Sequence, residues 1–374
     1  KPTGRNIYAV DPRSIPTKIA FQNGQAMADE FVRQYLQDNG DYPKNLTIDL
    51  WGSASMRTGG QEYSMALAFA GLTPIWDKNN ARILGFSILS LAELGRPRID
   101  ITIRQSGLFR DIFPELNRLF FDAIDKLHER DETLKDNPYK NKIDRIFGPK
   151  PGSFGINIKE KIEGHLADHT AKIGEAGIKS SAWAYQKNGK FNQNTEHLKK
   201  RLADTEALIH SHDLCESDLL SAKDYADHIG GFNAAVASMQ KTNPKLYHLD
   251  ISSDGIPKVR TTNQELARII RGKLSDDKWV SGMLQHGYRG AAEITELVFN
   301  LSNFGKSGVY LPNHLIELVY NSTLANTKVA DFMAEENIDA LKGLENTFSE
   351  LRDLGLWKSF HNSIRYEERL VENG

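Results

Sequence analysis

Leu46-Thr47-Ile48-Asp49-Leu50-Trp51 is a short apolar, β-rich run that breaks at Gly52, the pattern of a strand buried in a sheet. Two further runs read the same way: 83–91, and Ile99-Asp100-Ile101-Thr102-Ile103-Arg104, the latter with clean alternation. Amphipathic helices are expected over 23–38, 60–70 and 114–130, the last opening at Pro114, which suits a first helical turn. Strands alternating with helices predict an α/β layer with a mainly parallel sheet. At 131–150 the texture turns polar and ends in Gly148-Pro149-Lys150-Pro151-Gly152, which cannot continue a regular element. Beyond it helical periodicity dominates, over 155–175, 196–209, 231–240, 263–273, 287–303, 312–323 and 337–354. The expected fold class is therefore α/β, with an α/β domain over 1–147 and a mostly α-helical region over 148–374.

The 374 residues are 40% hydrophobic and 26% charged, which suits a globular protein with a sizeable core. Lys and Arg number 47 against 49 Asp and Glu, and the longest basic cluster is Lys199-Lys200-Arg201, so a strong electrostatic case for nucleic acid or anionic membrane is excluded. Cys215 is the only cysteine, which excludes an internal disulfide and a thiolate cluster and points to a reducing compartment, the cytoplasm. No stretch approaches the ~18 apolar residues of a membrane span. The opening Lys1-Pro2-Thr3-Gly4 has neither a starting Met nor a signal-peptide pattern, and the chain reads as a fragment of a longer one, inactive alone.

Generic motifs do not supply a function. Gly305-Lys306-Ser307 lacks the phosphate-loop glycine at 300, where Asn300 stands, and follows a helix rather than a strand. His165 and His169 are four apart on an expected helix, but Leu166 occupies the position a zinc protease gives to Glu. His210-Ser211-His212-Asp213 reads as a solvated helix end.

Three longer phrases are more specific. They are Pro2-Thr3-Gly4-Arg5-Asn6 with Val10-Asp11-Pro12-Arg13; Leu50-Trp51-Gly52 and Met56-Arg57-Thr58-Gly59-Gly60 leading to 91–98 and Arg104–Asp111; and Trp279–Met283 with His286-Gly287-Tyr288-Arg289-Gly290-Ala291-Ala292-Glu293. Together they resemble the C-terminal part of the large subunit of the ATP-dependent metal chelatases, the class of aerobic cobaltochelatase and magnesium chelatase. Leu246-Tyr247-His248-Leu249-Asp250, Val259-Arg260-Thr261, Gly355-Leu356-Trp357 and Asn362-Ser363 are similar to the cobaltochelatase branch. The chain departs from that branch after the 148–155 loop, where only Ala182-Trp183-Ala184-Tyr185 survives of a glycine-rich, Trp/Tyr-bearing segment. The resemblance implies a subunit that binds tetrapyrrole and metal, with Co(II) as substrate metal and hydrogenobyrinic acid a,c-diamide as acceptor. It also implies two partner subunits, an AAA+ ATPase and one with a metal-dependent adhesion-type domain, which use ATP and Mg(II) not bound here. A magnesium chelatase acting on protoporphyrin and a non-catalytic tetrapyrrole-binding scaffold are the rival readings.

Such chemistry needs a base neutral near pH 7, an acidic group for the metal and a site that excludes water. His286 and Glu293 are seven apart and share a face if the helix covers His286, as base and metal ligands, with Arg289 between them for a substrate carboxylate. The alternative is a capping His286 and a surface Arg289–Glu293 pair. Arg57 and Glu62 flank Thr58-Gly59-Gly60 just past the 46–51 strand, where open α/β sheets bind ligands; Arg57 would hold a carboxylate and Glu62 a metal or proton. Glu62 also reads as an ordinary helix-start acid. Arg104, Arg110 and Asp111 follow the 99–103 strand as an anion clamp or as a pair locking a loop. Trp51, Trp183 and Tyr185 would lie against the macrocycle face or in the core.

Overall fold

The computed structural model describes residues 11–153, 166–214, 216–221, 223–240, 245–252 and 257–359. The Cys215 and His165 readings and the phrases at 2–10 and 362–363 lie outside the described residues. The chain divides into two compact units: Lys1–Gly155 with Ile178–Asp213 and Pro244–Val259, and Ile156–Gly177 with Leu214–Asn243 and Arg260–Gly374. This differs from a single cut after 147, because two later segments return to the first unit.

The first unit is built on β1 (Asn45–Leu50), β4 (Asp100–Gln105), β5 (Ile146–Gly148), β6 (Trp183–Tyr185), β7 (Phe191–Gln193), β8 (Ala207–His212), β9 (Lys245–Asp250) and β10 (Lys258–Thr261). They form one sheet in the order β10-β9-β8-β1-β4-β5-β6-β7. From β9 to β5 neighbouring strands run parallel, and β6 and β7 turn antiparallel at one side, so the expected α/β class with a mainly parallel sheet is found. The 83–91 run is a correction: β3 (Ile83–Ile88) pairs antiparallel with β2 (Leu72–Trp76) in a separate two-stranded sheet. A second correction concerns 196–209 and the His210–Asp213 phrase. Helix α8 (Thr195–Ala203) stops early, and 207–212 is the buried strand β8. Leu198, Leu202 and Ile209 fall at helical spacing, and a strand buried on both faces shows no hydrophobic alternation to contradict it.

Register partners in a parallel sheet share a face. Leu46, Ile48 and Leu50 therefore lie beside Ile101, Ile103 and Ile209 on an apolar face. It packs with α1 (Lys18–Asn39), α3 (Gln61–Ala70), which follows the short α2 (Gly52–Thr58), and α6 (Pro114–His128), preceded by α4 (Leu91–Leu94) and α5 (Gly107–Ile112). Phe31 of α1 meets Tyr247 and Phe69 edge-on, with centroids 5.1 and 5.6 Å apart. Helices α1 and α3 touch at Gly24, where an added Cβ would sit 2.4 Å from Ser64 Cβ and 2.5 Å from the Gln61 carbonyl oxygen. Gly24→Val is expected to lower stability by about 3 kcal/mol through overpacking against backbone. Urea unfolding followed by tryptophan fluorescence checks this; an unchanged midpoint would refute the contact.

The second unit is helical: the greater part of α7 (Leu166–Ser181), α9 (Lys223–Gln240), α10 (Thr262–Gly272), α11 (Asp277–Leu284), α12 (Gly287–Lys306), α13 (Asn313–Ser322), α14 (Thr327–Glu336) and α15 (Ile338–Asp353). Ile294, Leu297, Val298 and Leu301 of α12 and Leu341, Leu344 and Phe348 of α15 are buried. Tyr320, Phe348 and Trp357 form an aromatic cluster with centroids 4.8–5.3 Å apart. Gly305-Lys306-Ser307 is the end of α12, as expected of a helix-ending turn. No described helix is long and apolar enough to cross a membrane.

Candidate functional site

The face of the sheet opposite the apolar one is polar along β1 and β4 and turns polar toward the carboxyl ends of β8 and β9. Asp49 and Arg104 are register partners across β1 and β4, and His210 and His248 across β8 and β9. Since β1 and β8 pair up to Ile48 and Ile209, the next residues, Asp49 and His210, continue that register. The result is a transverse row over four adjacent strands: His248, His210, Asp49, Arg104. Arg104 Nη1 donates to Asp49 Oδ1 at 2.8 Å, the Trp51 indole N–H donates to Oδ2, and His210 Nδ1 lies 3.9 Å from Oδ2. Burial pushes the Asp49 carboxyl up, but the Arg104 charge, then His210 and the two hydrogen bonds, outweigh it and hold it below the usual carboxylate range. The Trp51 ring stands edge-on to His210 at 5.5 Å, and His248 lies 6.1 Å from His210 and 5.5 Å from His212.

Beyond β8 the row continues into a second group. Asp213 holds Arg57 with both oxygens, at 2.6 and 2.9 Å. Arg57 lies in the last turn of α2, and Gly59 and Gly60 take φ of +69° and +91° to turn the chain into α3. These conformations suit glycine and place Glu62 in the first turn of α3, buried. Thr58 Oγ1 donates to Glu62 Oε2 at 2.9 Å, while Oε1 has no hydrogen-bond partner. Burial pushes this carboxyl up to about 7, with the Asp213 charge adding to it. A carboxyl that titrates at neutrality can take or give a proton there.

Arg110, Trp183 and Tyr185 lie along the same edge. Ser106 Oγ accepts from both Gly52 N (3.2 Å) and Phe109 N (3.1 Å), which fixes the start of α5 against α2. Arg110 pairs with Asp111 at 2.5 and 2.8 Å and donates to the Pro149 and Lys150 carbonyls, and Tyr185 donates to Pro149 O at 3.0 Å. Both thus hold the 148–152 loop. Trp183 is opposite Gly148, at the carboxyl end of β5, with Lys150 Nζ 5.8 Å from its ring. Of the three arginines, Arg57 keeps 43% of its side chain exposed, against 4% for Arg104 and 8% for Arg110. It is the one of the three whose charge stays open to solvent.

In the helical unit, Arg289, Ala292, Glu293 and Glu296 of α12, with Leu220 and Ser221, line a cavity of about 490 Å³. The condition on His286 is not met: α12 begins at Gly287, whose φ is +53°, and His286 precedes it as an exposed N-cap residue outside that lining. Its side chain makes no capping hydrogen bond.

A model of the CobN/magnesium chelatase family matches residues 1–364. The chain belongs to that family. It is 34% identical to an aerobic cobaltochelatase subunit CobN from Sinorhizobium sp., over 98% of this chain and 30% of that protein. It is 26% identical to a magnesium-chelatase subunit from Chlorobaculum parvum, over 97% of this chain and 30% of the relative. Among solved structures, the catalytic subunit of cobaltochelatase from Mycobacterium tuberculosis superposes with a TM-score of 0.91 at 28% identity, over 99% of this chain and 33% of that one. The chain thus spans about 30% of the length of the curated relatives it matches.

Among the described residues no three His, Cys, Asp or Glu side chains converge as a metal site. Sequence reasoning did not single out Asp49, His210, His212, His248 or Asp213 for the site. A signal was present in β9, where His248 and Asp250 stand two apart on either side of Leu249.

Proposed function

We propose that the chain is part of the tetrapyrrole- and metal-binding large subunit of a cobaltochelatase that inserts Co(II) into hydrogenobyrinic acid a,c-diamide. Partner subunits, an AAA+ ATPase and one with a metal-dependent adhesion-type domain, use ATP and Mg(II). The observation that carries this choice is the identity of 33–34% to two cobaltochelatase subunits over nearly the whole chain, against 25–29% for the magnesium-chelatase subunits.

The carboxyl edge of the sheet offers what the reaction asks of a protein. Arg57, half committed to Asp213 and half exposed, shares its guanidinium with a macrocycle carboxylate. An inner N–H that gives way to the metal must lose its proton, and Glu62, titrating at about 7, accepts it. Trp51 and Trp183 supply flat apolar surface at the same edge, and Asp49 with Arg104 keeps Trp51 oriented. In the helical unit Arg289 and Glu293 share one cavity wall, where Arg289 takes a carboxylate and Glu293 handles Co(II), with His286 just before the start of the same helix.

Absorbance and fluorescence-quenching titrations with hydrogenobyrinic acid a,c-diamide and with protoporphyrin test this, on this chain and on a polypeptide of the relatives' full length that contains it. The corrin is expected to bind more tightly, and Arg57→Ala or Arg289→Ala to weaken it by about tenfold, the loss of one charge-assisted contact. Tighter binding of protoporphyrin would move the assignment to magnesium chelatase, and no binding of either by the longer polypeptide would end the tetrapyrrole reading.

A further inference from the structure

At the opposite, amino-terminal edge of the sheet lies a cleft of about 510 Å³ whose charged lining is Asp100, Lys142, His197, Lys200, Arg201 and Asp204. Strands β1 and β4 begin there, so it is separated from the carboxyl edge by the length of a six-residue strand, roughly 17 Å. No residue of the site above contributes to it.

Asp100 and Arg201 of this lining belong to a buried group with an excess of positive charge. Asp100 is a single carboxylate between two guanidiniums: Arg145 Nε donates to Oδ1 at 2.7 Å, and Arg201 Nη1 donates to Oδ2. The side chains of Arg145 and Arg201 are 0% and 5% exposed. One negative charge thus faces two positive ones away from water, an arrangement that is costly unless a further anion or acceptor completes it. The two arginines differ in how far they are satisfied. Arg145 also donates to the carbonyls of Asn141 and Pro138, each at 3.0 Å. Arg201 uses Nε on Thr102 Oγ1 at 2.8 Å, and its Nη2, fully buried, has no hydrogen-bond partner. Lys142 and Lys200 are exposed at the mouth. Of the other titratable members, His197 is turned to Asp144 at 3.3 Å, and Asp204 is exposed.

We propose that this cleft binds a small tetrahedral oxyanion of the phosphate class, with Arg201 at its floor and Lys142 and Lys200 at its mouth. The donor set selects the class. A carboxylate is best held by two parallel N–H groups of one guanidinium, and the Nε–Nη2 fork of Arg201 is not open to it because Nε already donates to Thr102, while Nη1 donates to Asp100. The two N–H groups of Nη2, together with two ammonium point charges in different directions, suit an ion with oxygens in three dimensions. A bound anion would also offset the single surplus positive charge of the Arg145–Asp100–Arg201 group.

The test is isothermal titration of the chain with inorganic phosphate, diphosphate and succinate in a chloride buffer, together with thermal unfolding at each ligand concentration. Phosphate or diphosphate is expected to bind saturably and raise the melting temperature. Lys142→Glu with Lys200→Glu, two exposed changes, is expected to weaken that binding by at least about tenfold while leaving the ligand-free melting temperature unchanged. Arg201→Lys keeps the charge but removes the Nη2 donor, and is expected to lose phosphate binding with circular dichroism intact. Three results would overturn the proposal: no saturable response to either phosphate ligand, a response untouched by the double lysine change, or succinate binding as tightly as phosphate.

Discussion

Glu62→Gln is expected to stabilise the chain at pH 8 while reducing cobalt insertion about a hundredfold at the same pH. Both effects come from one property. The Glu62 carboxyl is raised by burial from its ordinary 4.5 to about 7. Between those two values the unfolded chain has released the proton and the folded chain has not, so stability falls as pH rises through the window and stays reduced above it. A displacement of this size corresponds to about 3 kcal/mol at pH 8 relative to pH 4.5, as an order of magnitude. Glutamine keeps the shape, can accept from Thr58, and cannot ionise, so it removes the penalty and the proton acceptor together. Urea unfolding at pH 4.5 and pH 8 reads the first effect, and metal-insertion spectra of the assembled chelatase carrying the substitution read the second, with tetrapyrrole affinity measured alongside. Equal stability gains at both pH values would show that Glu62 ionisation carries no cost in the fold. Unchanged insertion would remove Glu62 from the proton step and leave the tetrapyrrole reading standing.

Asp49→Ala should be among the most destabilising single changes in the first unit, costing about 3–5 kcal/mol, because it takes away the carboxylate that balances a buried arginine. Arg104 is 96% enclosed, and Asp49 is the acid it pairs with at 2.8 Å. The same carboxylate orients the Trp51 indole and lies beside His210, so the loss extends into the imidazole row. The sign of its pH dependence is opposite to that of Glu62. The folded Asp49 carboxyl lies below its ordinary value, so its stabilising contribution is present above the unfolded value of 3.8 and is lost as pH falls through the folded one. Urea unfolding at neutral pH measures the cost. Replacing both partners, Asp49→Leu with Arg104→Met, should recover much of it, since the penalty comes from stranding one charge rather than from losing an attraction. A single-variant cost below about 1 kcal/mol would mean that the pair behaves like a surface ion pair.

The elements read correctly from sequence are those whose pattern is set within a dozen residues. Strand β1 is a β-rich run closed by a glycine, and α6 opens on a proline and keeps its helical period to His128. Strand β8 was lost for a physical reason. Buried on both faces at the centre of the sheet, it has no alternation, and its apolar residues continue the spacing of the helix before it. Strand β3 had the right local pattern and the wrong partner, because pairing is not a local property.

The candidate site divides in the same way. The sequence alone determined the family phrases, the placement of Arg57 and Glu62 just past a strand end, and the presence of Trp51 beside them, because chain connectivity fixes neighbours of that kind. It could not show that His210 and His248, reached more than 150 residues after Asp49, lie in the same transverse row, nor that α12 starts one residue after His286. Those facts depend on which strands pair and where backbone hydrogen bonding begins, which long-range packing decides. The ionisation of Glu62 belongs to this second class as well: a carboxylate in the first turn of a helix is ordinary until the fold removes water from around it.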